Sequence, residues 1–164
     1  MNYPDGSIWR KWDLHVHTPC SFYQSYGGDN DEAWEQFIAD LENLPSVFKV
    51  IGINDYVFID GYRKVMEFKK AGRLSNIDLF LPVVELRLEI FSGASEPWNK
   101  INYHVIFSDE IDADTIDKEF LIPLGNSRTY ILEQNEYSSV TWRGSLSRES
   151  IESLGNMLIQ SVPE

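Results

Sequence analysis

The sequence predicts an α/β fold of the (β/α) barrel type, in which strands and helices alternate along the chain. Val47–Asn54 is a continuous apolar run, typical of a strand buried on both faces of a parallel sheet. Segments with helical spacing of their apolar residues flank it, Glu32–Leu44 before it and Asp60–Ala71 after it. Residues that can bind metals stand toward the C-terminal ends of the strand-like runs. The active site of a (β/α) barrel lies at the C-terminal ends of its strands.

The first strand is predicted near the start of the segment KWDLHVHTPCSFY, Lys11–Tyr23, and a turn opens at Thr18. Side chains alternate across a strand, so His15 and His17 share a face, and Asp13 on that face could orient an imidazole. Two neutral imidazoles one residue apart can hold one Zn, Mn or Fe ion or bridge a pair of ions. The alternative is that they are ordinary polar residues at a strand end.

The first helix is predicted to start at a cap on Asn30 or Asp31 and to end at Pro45. The second strand ends at Asp55, and Gly72 stops the second helix. These boundaries give two strand–helix units before the third strand, as a barrel requires.

The third strand, Leu79–Ile90, places Glu85, Arg87 and Glu89 on one face. Glu85 and Glu89 offer carboxylates on this face, and Arg87 stands between them. The alternative is a surface ladder of ion pairs, which would stabilise the fold little.

The fourth strand, Ile101–Ser108, carries His104, the last of the three histidines of the chain. A histidine in an apolar strand is commonly a satisfied core residue, but its position after the Glu85 strand favours a ligand. Asp109–Leu121 is predicted to be a solvated acidic helix rather than a calcium loop, because the loop glycine and the terminal glutamate are missing. The remaining predicted elements are short strands at Tyr130–Leu132 and Ser139–Trp142 and a final helix capped by Ser147.

Length and composition limit the class of protein. The 164 residues suffice for one folded domain, and the 43% hydrophobic and 13% aromatic content excludes a disordered chain. The net charge of -12 argues against a broad nucleic-acid groove, because an acidic surface repels phosphate backbones. The single cysteine, Cys20, excludes an intramolecular disulfide and fits a reducing compartment. Without a membrane-spanning run, a signal-peptide core or a P-loop, we expect a cytoplasmic protein that neither binds membranes nor hydrolyses ATP by itself.

Four parts of the sequence stand in a characteristic order: DLHVHT at Asp13–Thr18, VIGINDY at Val50–Tyr56, LPVVE at Leu81–Glu85, and then His104. In this order the first two thirds of the chain resemble the PHP (polymerase and histidinol phosphatase) family. The resemblance implies a distorted barrel of seven strands, (β/α)7. Residues 1–164 would then be a single PHP-like domain, truncated at its C-terminus, that supplies the early strands.

The resemblance also implies a centre of two or three divalent ions (Zn, Mn or Fe). The residues that match the family's ligands are His15, His17, Glu85 and His104, with Asp55 next and Glu85 as the bridge between ions. Asp55 and Arg87 are the candidate catalytic residues. Two departures stand out: Tyr56 occupies the place of a family histidine ligand, and the late family motifs have no match because no histidine follows His104.

The activity implied is that of a metal-dependent phosphoesterase acting on phosphate esters, including nucleic-acid ends or phosphodiesters. The opening segment, Met1–Tyr23, also resembles the start of TrlF-type proteins, in which a PHP domain precedes an AAA-like or SMC-like ATPase. An ATPase domain in a longer parent protein is therefore the expected partner. The alternative, favoured by Tyr56 and the missing late motifs, is a catalytically degenerate PHP domain that regulates or recruits the ATPase. A plain acidic α/β interaction domain would require the ordered segments to be a coincidence.

Overall fold

The computed structural model describes residues 9–92, 99–126, 130–135, 138–142 and 146–161. The chain divides into two compact units, residues 1–111 and 112–164. The first unit contains β1 (Lys11–Val16), α1 (Asp31–Glu42), β2 (Phe48–Tyr56), α2 (Asp60–Lys70), β3 (Leu79–Ser92) and β4 (Asn99–Ile106). The second contains α3 (Ala113–Ile116), a π-helical turn (Asp117–Leu121), α4 (Ile122–Asn126), β5 (Tyr130–Asn135), β6 (Ser138–Trp142) and α5 (Arg148–Ser161).

The first unit is built on one curled four-stranded sheet with the order β1-β2-β3-β4. Strands β1, β2 and β3 run parallel to one another, and β4 runs antiparallel to β3. The predicted α/β class is confirmed. The strand–helix alternation of a parallel barrel holds as far as β3, where β4 turns back along its neighbour.

Helix α1 begins where the sequence places its cap. The Asn30 side chain accepts a hydrogen bond from the backbone N–H of Ala33 (3.0 Å), so Asn30 rather than Asp31 caps α1. Helix α2 packs on β2 and β3. Trp34 of α1 stacks on Phe68 of α2, with ring centroids 6.1 Å apart, and this pair joins the two helices.

In the second unit the acidic helix starts later than predicted. The carboxylate of Asp112 accepts a hydrogen bond from the backbone N–H of Thr115 (2.8 Å), so the first turn begins at Ala113 and not at Asp109. Ser147 caps α5 as predicted, since its Oγ accepts from the backbone N–H of Ser150 (3.2 Å). Among the helices of the described ranges, none combines the length and the apolar character needed to cross a membrane.

Strand β2 carries polar side chains on both of its faces, because successive side chains alternate. The Asp55 carboxylate is buried and accepts hydrogen bonds from the backbone N–H (2.8 Å) and the hydroxyl (2.7 Å) of Thr18. Thr18 follows His17 directly, so this Thr18–Asp55 anchor fixes the chain just after β1. Gly61 of α2 lies against both partners, and a Cβ there would overlap the carboxylate and the hydroxyl.

Gly61→Ala is expected to lower the free energy of unfolding by about 1–3 kcal/mol, because the added methyl group must displace buried, hydrogen-bonded atoms. Urea unfolding followed by tryptophan fluorescence measures this change. Gly155→Ala, in helix α5, is the matched control. There is open space around the added Cβ, and alanine favours a helix over glycine by roughly 0.5–1 kcal/mol, so this change should not lower the free energy of unfolding. Equal stability of the wild type and Gly61→Ala would contradict the role of the anchor.

Candidate metal centre

The side chains of the candidate centre come from three strands and the residue that follows one of them. His15 lies in β1, and His17 follows the end of that strand. Glu85 of β3 is paired in register with Tyr56 of β2 on one side and with His104 of β4 on the other. The sheet therefore brings together residues that are up to 89 positions apart in the chain, His15 and His104 being the extremes.

Three imidazoles converge on one carboxylate oxygen. The Nε2 atoms of His15, His17 and His104 lie 3.5, 3.6 and 3.6 Å from Oε2 of Glu85. The donor atoms of His15, Glu85 and His104 all lie within 4.8 Å of one another, and Nε2 of His17 lies 3.1 Å from Nε2 of His15. Ligands about 2.1 Å from a tetrahedrally coordinated ion are separated by about 3.4 Å, so these distances suit metal ligation.

Glu85 is completely buried and held by two asparagines. Nδ2 of Asn54 donates a hydrogen bond to Oε2 (2.9 Å), and Nδ2 of Asn102 donates to Oε1. These bonds fix the carboxylate plane and leave lone pairs directed at the imidazoles. A surface ladder of ion pairs is therefore the wrong interpretation for Glu85, and a buried carboxylate requires compensating positive charge.

His104 provides a further test of fit. Its Nε2 atom is buried and has no hydrogen-bond partner within the described part of the chain. A buried imidazole nitrogen without a partner is unfavourable in a core, but it is the donor that a divalent ion needs. The arrangement therefore fits a ligand better than a satisfied core histidine.

His17 is oriented from three sides. Its Nδ1 lies 3.3 Å from Oγ of Ser21, its Nε2 faces Glu85, and its ring stacks on Tyr56 with centroids 5.2 Å apart and planes inclined by 12°. Burial lowers the pKa of His17; the Glu85 carboxylate opposes this shift, and the other two imidazoles add to it. The lowered pKa favours the neutral ring, which is the form that binds a metal.

Two predicted site residues lie outside this group. Asp55 faces the opposite side of β2 from Asn54, and its oxygens accept hydrogen bonds from Thr18, so its role as a ligand stays a prediction. Burial raises the pKa of the neighbouring Cys20 thiol to about 11, which keeps it protonated.

Asp13 accepts a hydrogen bond from the backbone N–H of His15 (3.1 Å) rather than from an imidazole, so the suggested role of orienting a ring is wrong.

Arg87 lies beside the centre, on the same face of β3 as Glu85. Its guanidinium is exposed and donates a hydrogen bond from Nη2 to the hydroxyl of Tyr56 (3.3 Å). Tyr56 is thus a ring neighbour of His17 and a hydrogen-bond acceptor for Arg87. The side chain of Glu89, which we predicted on this face, lies outside the described residues.

Sequence reasoning missed Asn54, Asn102 and Ser21. Asn54 and Asn102 each precede a residue of the site by two positions in a strand, which places them on the same face as Tyr56 and His104 respectively. For Asn54, an amide at the end of an otherwise apolar run was the signal that could have identified it.

The imidazoles of His15 and His17 open onto solvent through a cleft of about 420 Å³. Its lining consists of His15, Val16, His17 and the segment Tyr23–Tyr26. Half of the surface of the His15 side chain is exposed (50%), so a small molecule can reach this imidazole.

No family model matches the chain, and neither curated proteins nor solved structures include a significant match.

The stability of the metal-free protein is expected to fall on acidification. The pKa of His17 in the folded chain lies below its unfolded value of about 6.5, so the unfolded chain takes up more protons as the pH drops through about 6.5. Urea unfolding in the presence of a chelator, from about pH 8 to about pH 5, measures this loss. His17→Gln removes the titrating group, and we expect a shallower dependence on pH. The same dependence in both chains would contradict the lowered pKa.

Proposed function

We propose that this chain is a metal-dependent phosphoesterase of the PHP type. The observation that carries the proposal is the convergence of three imidazole Nε2 atoms, at 3.5–3.6 Å, on one oxygen of the buried Glu85. Neutral imidazoles and a carboxylate form a ligand set for Zn, Mn or Fe. The PHP assignment rests on the resemblance of the sequence motifs that contain these residues.

His15, His17, His104 and Glu85 would hold the ions. When bound there, a divalent ion supplies a Lewis acid for a phosphoryl oxygen and lowers the pKa of water, which is the chemistry of phosphate-ester hydrolysis. The resemblance predicts two or three ions, and Oε2 of Glu85, which lies 3.5–3.6 Å from the Nε2 atoms of all three imidazoles, would bind in the same centre as they do. Asn54 and Asn102 keep this carboxylate in place.

Arg87 would contact the phosphate group. Its guanidinium is permanently charged, exposed and two residues beyond Glu85 on the same face of β3. A guanidinium binds phosphate oxygens through a fork of N–H donors. Hydrolysis breaks the P–O ester bond, with water supplying the oxygen added to phosphorus and a proton to the leaving alcohol.

The substrates we propose are nucleic-acid ends, with phosphodiesters as the wider class. The net charge of -12 disfavours a long polyanion lying along the surface, whereas a terminal phosphate needs only the local positive charge of the centre. We further propose that the four-stranded sheet is the early part of a seven-stranded PHP barrel, that an ATPase domain is its partner in a longer protein, and that the protein is cytoplasmic.

The second candidate function is a catalytically degenerate PHP domain that regulates the ATPase. One arrangement favours it: Tyr56 stacks on His17 instead of offering a nitrogen ligand. In that case the centre would bind little metal, and the loss of its histidines would leave the binding of the partner unchanged.

Simultaneous His15→Ala and His17→Ala changes are expected to abolish metal binding. The wild type should retain at least about one equivalent of Mn, Zn or Fe after dialysis, and the double variant less than about a tenth of that. Elemental analysis of both proteins measures this, with circular dichroism to check the fold. Glu32→Gln, which changes an exposed carboxylate of α1, is the control and should retain the metal. A wild type without metal after reconstitution would favour the degenerate domain.

Arg87→Gln is expected to lower kcat/KM for phosphate esters by about 10–100-fold, because a charge-assisted contact with the substrate is lost. Hydrolysis of p-nitrophenyl phosphate, bis(p-nitrophenyl) phosphate and oligonucleotides with terminal phosphates measures the change. Arg63→Gln is the control, since Arg63 of α2 pairs with Asp60 at 2.9 Å. Equal activity of the wild type and Arg87→Gln would show that Arg87 takes no part in the reaction.

A further inference from the structure

Tyr56 lies between the candidate metal centre and the candidate phosphate-binding arginine. Its ring stacks on the imidazole of His17, with centroids 5.2 Å apart and planes inclined by 12°. Its hydroxyl accepts a hydrogen bond from Nη2 of Arg87 (3.3 Å), and Cζ of Arg87 lies 5.3 Å from its ring centroid. One side chain therefore contacts both halves of the site.

The backbone around Tyr56 is held firmly. Tyr56 stands in register with Glu85, and the next residue, Val57, donates its N–H to the carbonyl oxygen of Glu85 (3.0 Å). Val57 has a φ of 66°, a conformation that β-branched residues rarely adopt, and the N–H of Phe58 bonds the carbonyl of Tyr56 (2.8 Å) across it. Such unfavourable turns persist where the surrounding structure determines them, often at functional sites.

We propose that Tyr56 is a positioning residue that sets the imidazole of His17 and the guanidinium of Arg87 for joint action on a bound phosphate group. This inference rests on the proposed function. Under this proposal, Tyr56 contributes to the function of the site and does more than replace a histidine ligand.

The two contacts of Tyr56 act on different groups. Stacking limits rotation of the His17 ring, whose Nδ1 faces Ser21, and so keeps Nε2 directed at Glu85. The hydroxyl restricts an exposed arginine that would otherwise sample many rotamers, so the guanidinium is in place before the phosphate arrives. The first contact should therefore control metal affinity, and the second should control phosphate affinity.

Two substitutions separate these contacts. Tyr56→Phe keeps the ring and removes the hydroxyl, so we expect an unchanged affinity for Mn²⁺ and a weakening of inorganic phosphate binding by about 3–10-fold, with a matching rise in KM and little change in kcat. Tyr56→Leu also removes the stacking, so we expect the Mn²⁺ affinity to fall by about 10-fold or more. Calorimetric titration with Mn²⁺, and then of the loaded protein with inorganic phosphate, measures both affinities.

A double-mutant cycle tests whether Tyr56 acts through Arg87. In the Arg87→Gln background, Tyr56→Phe should have no further effect on phosphate affinity, because the group that it positions is gone. Tyr103→Phe is the matched control: this tyrosine is 54% exposed and lies on the opposite face of β4 from His104, so neither affinity should change.

The outcomes distinguish this inference from the proposed function. Phosphate binding that Tyr56→Phe leaves unchanged, or weakens equally with and without Arg87, overturns the positioning role. A protein that binds Mn²⁺ and phosphate as expected but hydrolyses no ester contradicts the phosphoesterase proposal. The Mn²⁺ and phosphate affinities of the variants would still support the role of Tyr56. A wild type that takes up no metal overturns both.

Discussion

The fully buried carboxylate of Glu85 is the group on which the rest of the site depends. A carboxylate removed from water is costly unless hydrogen bonds and positive charge compensate it. Two asparagine amides supply hydrogen bonds, and the three imidazoles around Oε2 present nitrogen atoms that can bind a cation beside it. A divalent ion, as proposed, would satisfy the carboxylate and the imidazoles together, including the buried Nε2 of His104 that has no hydrogen-bond partner among the described residues.

The alternation of side chains along β2 creates two polar networks on opposite faces of the sheet. Asn54 and Tyr56 point toward Glu85, whereas Asp55 between them points toward Thr18 and Gly61. Because Thr18 follows His17 directly, the second network fixes the backbone from which one imidazole enters the first. Asp55 therefore affects the geometry of the site through the chain, by its hydrogen bonds with Thr18.

The sequence was most informative where the alternation of side chains and the order of the strands indicated the same residues. Alternation placed His15 and His17 on one face, and the order of the strands brought Glu85 and His104 to them. Alternation alone also implied that the adjacent Asn54 and Asp55 face opposite sides of β2, so only one of them could lie beside Glu85. The resemblance favoured Asp55. In the structure it is Asn54 that lies beside Glu85. The antiparallel direction of β4 was not predictable, because an apolar run has the same pattern whichever way its strand pairs. Asn102 was missed for a related reason, since its partner became apparent only with the register of β3 and β4.

For the proposed function, charge balance favours a terminal phosphate over an internal phosphodiester. Even one divalent ion on the singly charged Glu85, together with the guanidinium of Arg87, would give the site a charge of about +2, and each further ion would raise it. A terminal phosphate carries about -1.5 to -2 near neutral pH, whereas a phosphodiester carries only about -1. Tyr56 contributes to this balance because it holds a cation beside the centre at the position where the family resemblance places a neutral ligand. The acidic surface opposes a long polyanion in any case, so a short substrate end meets both requirements.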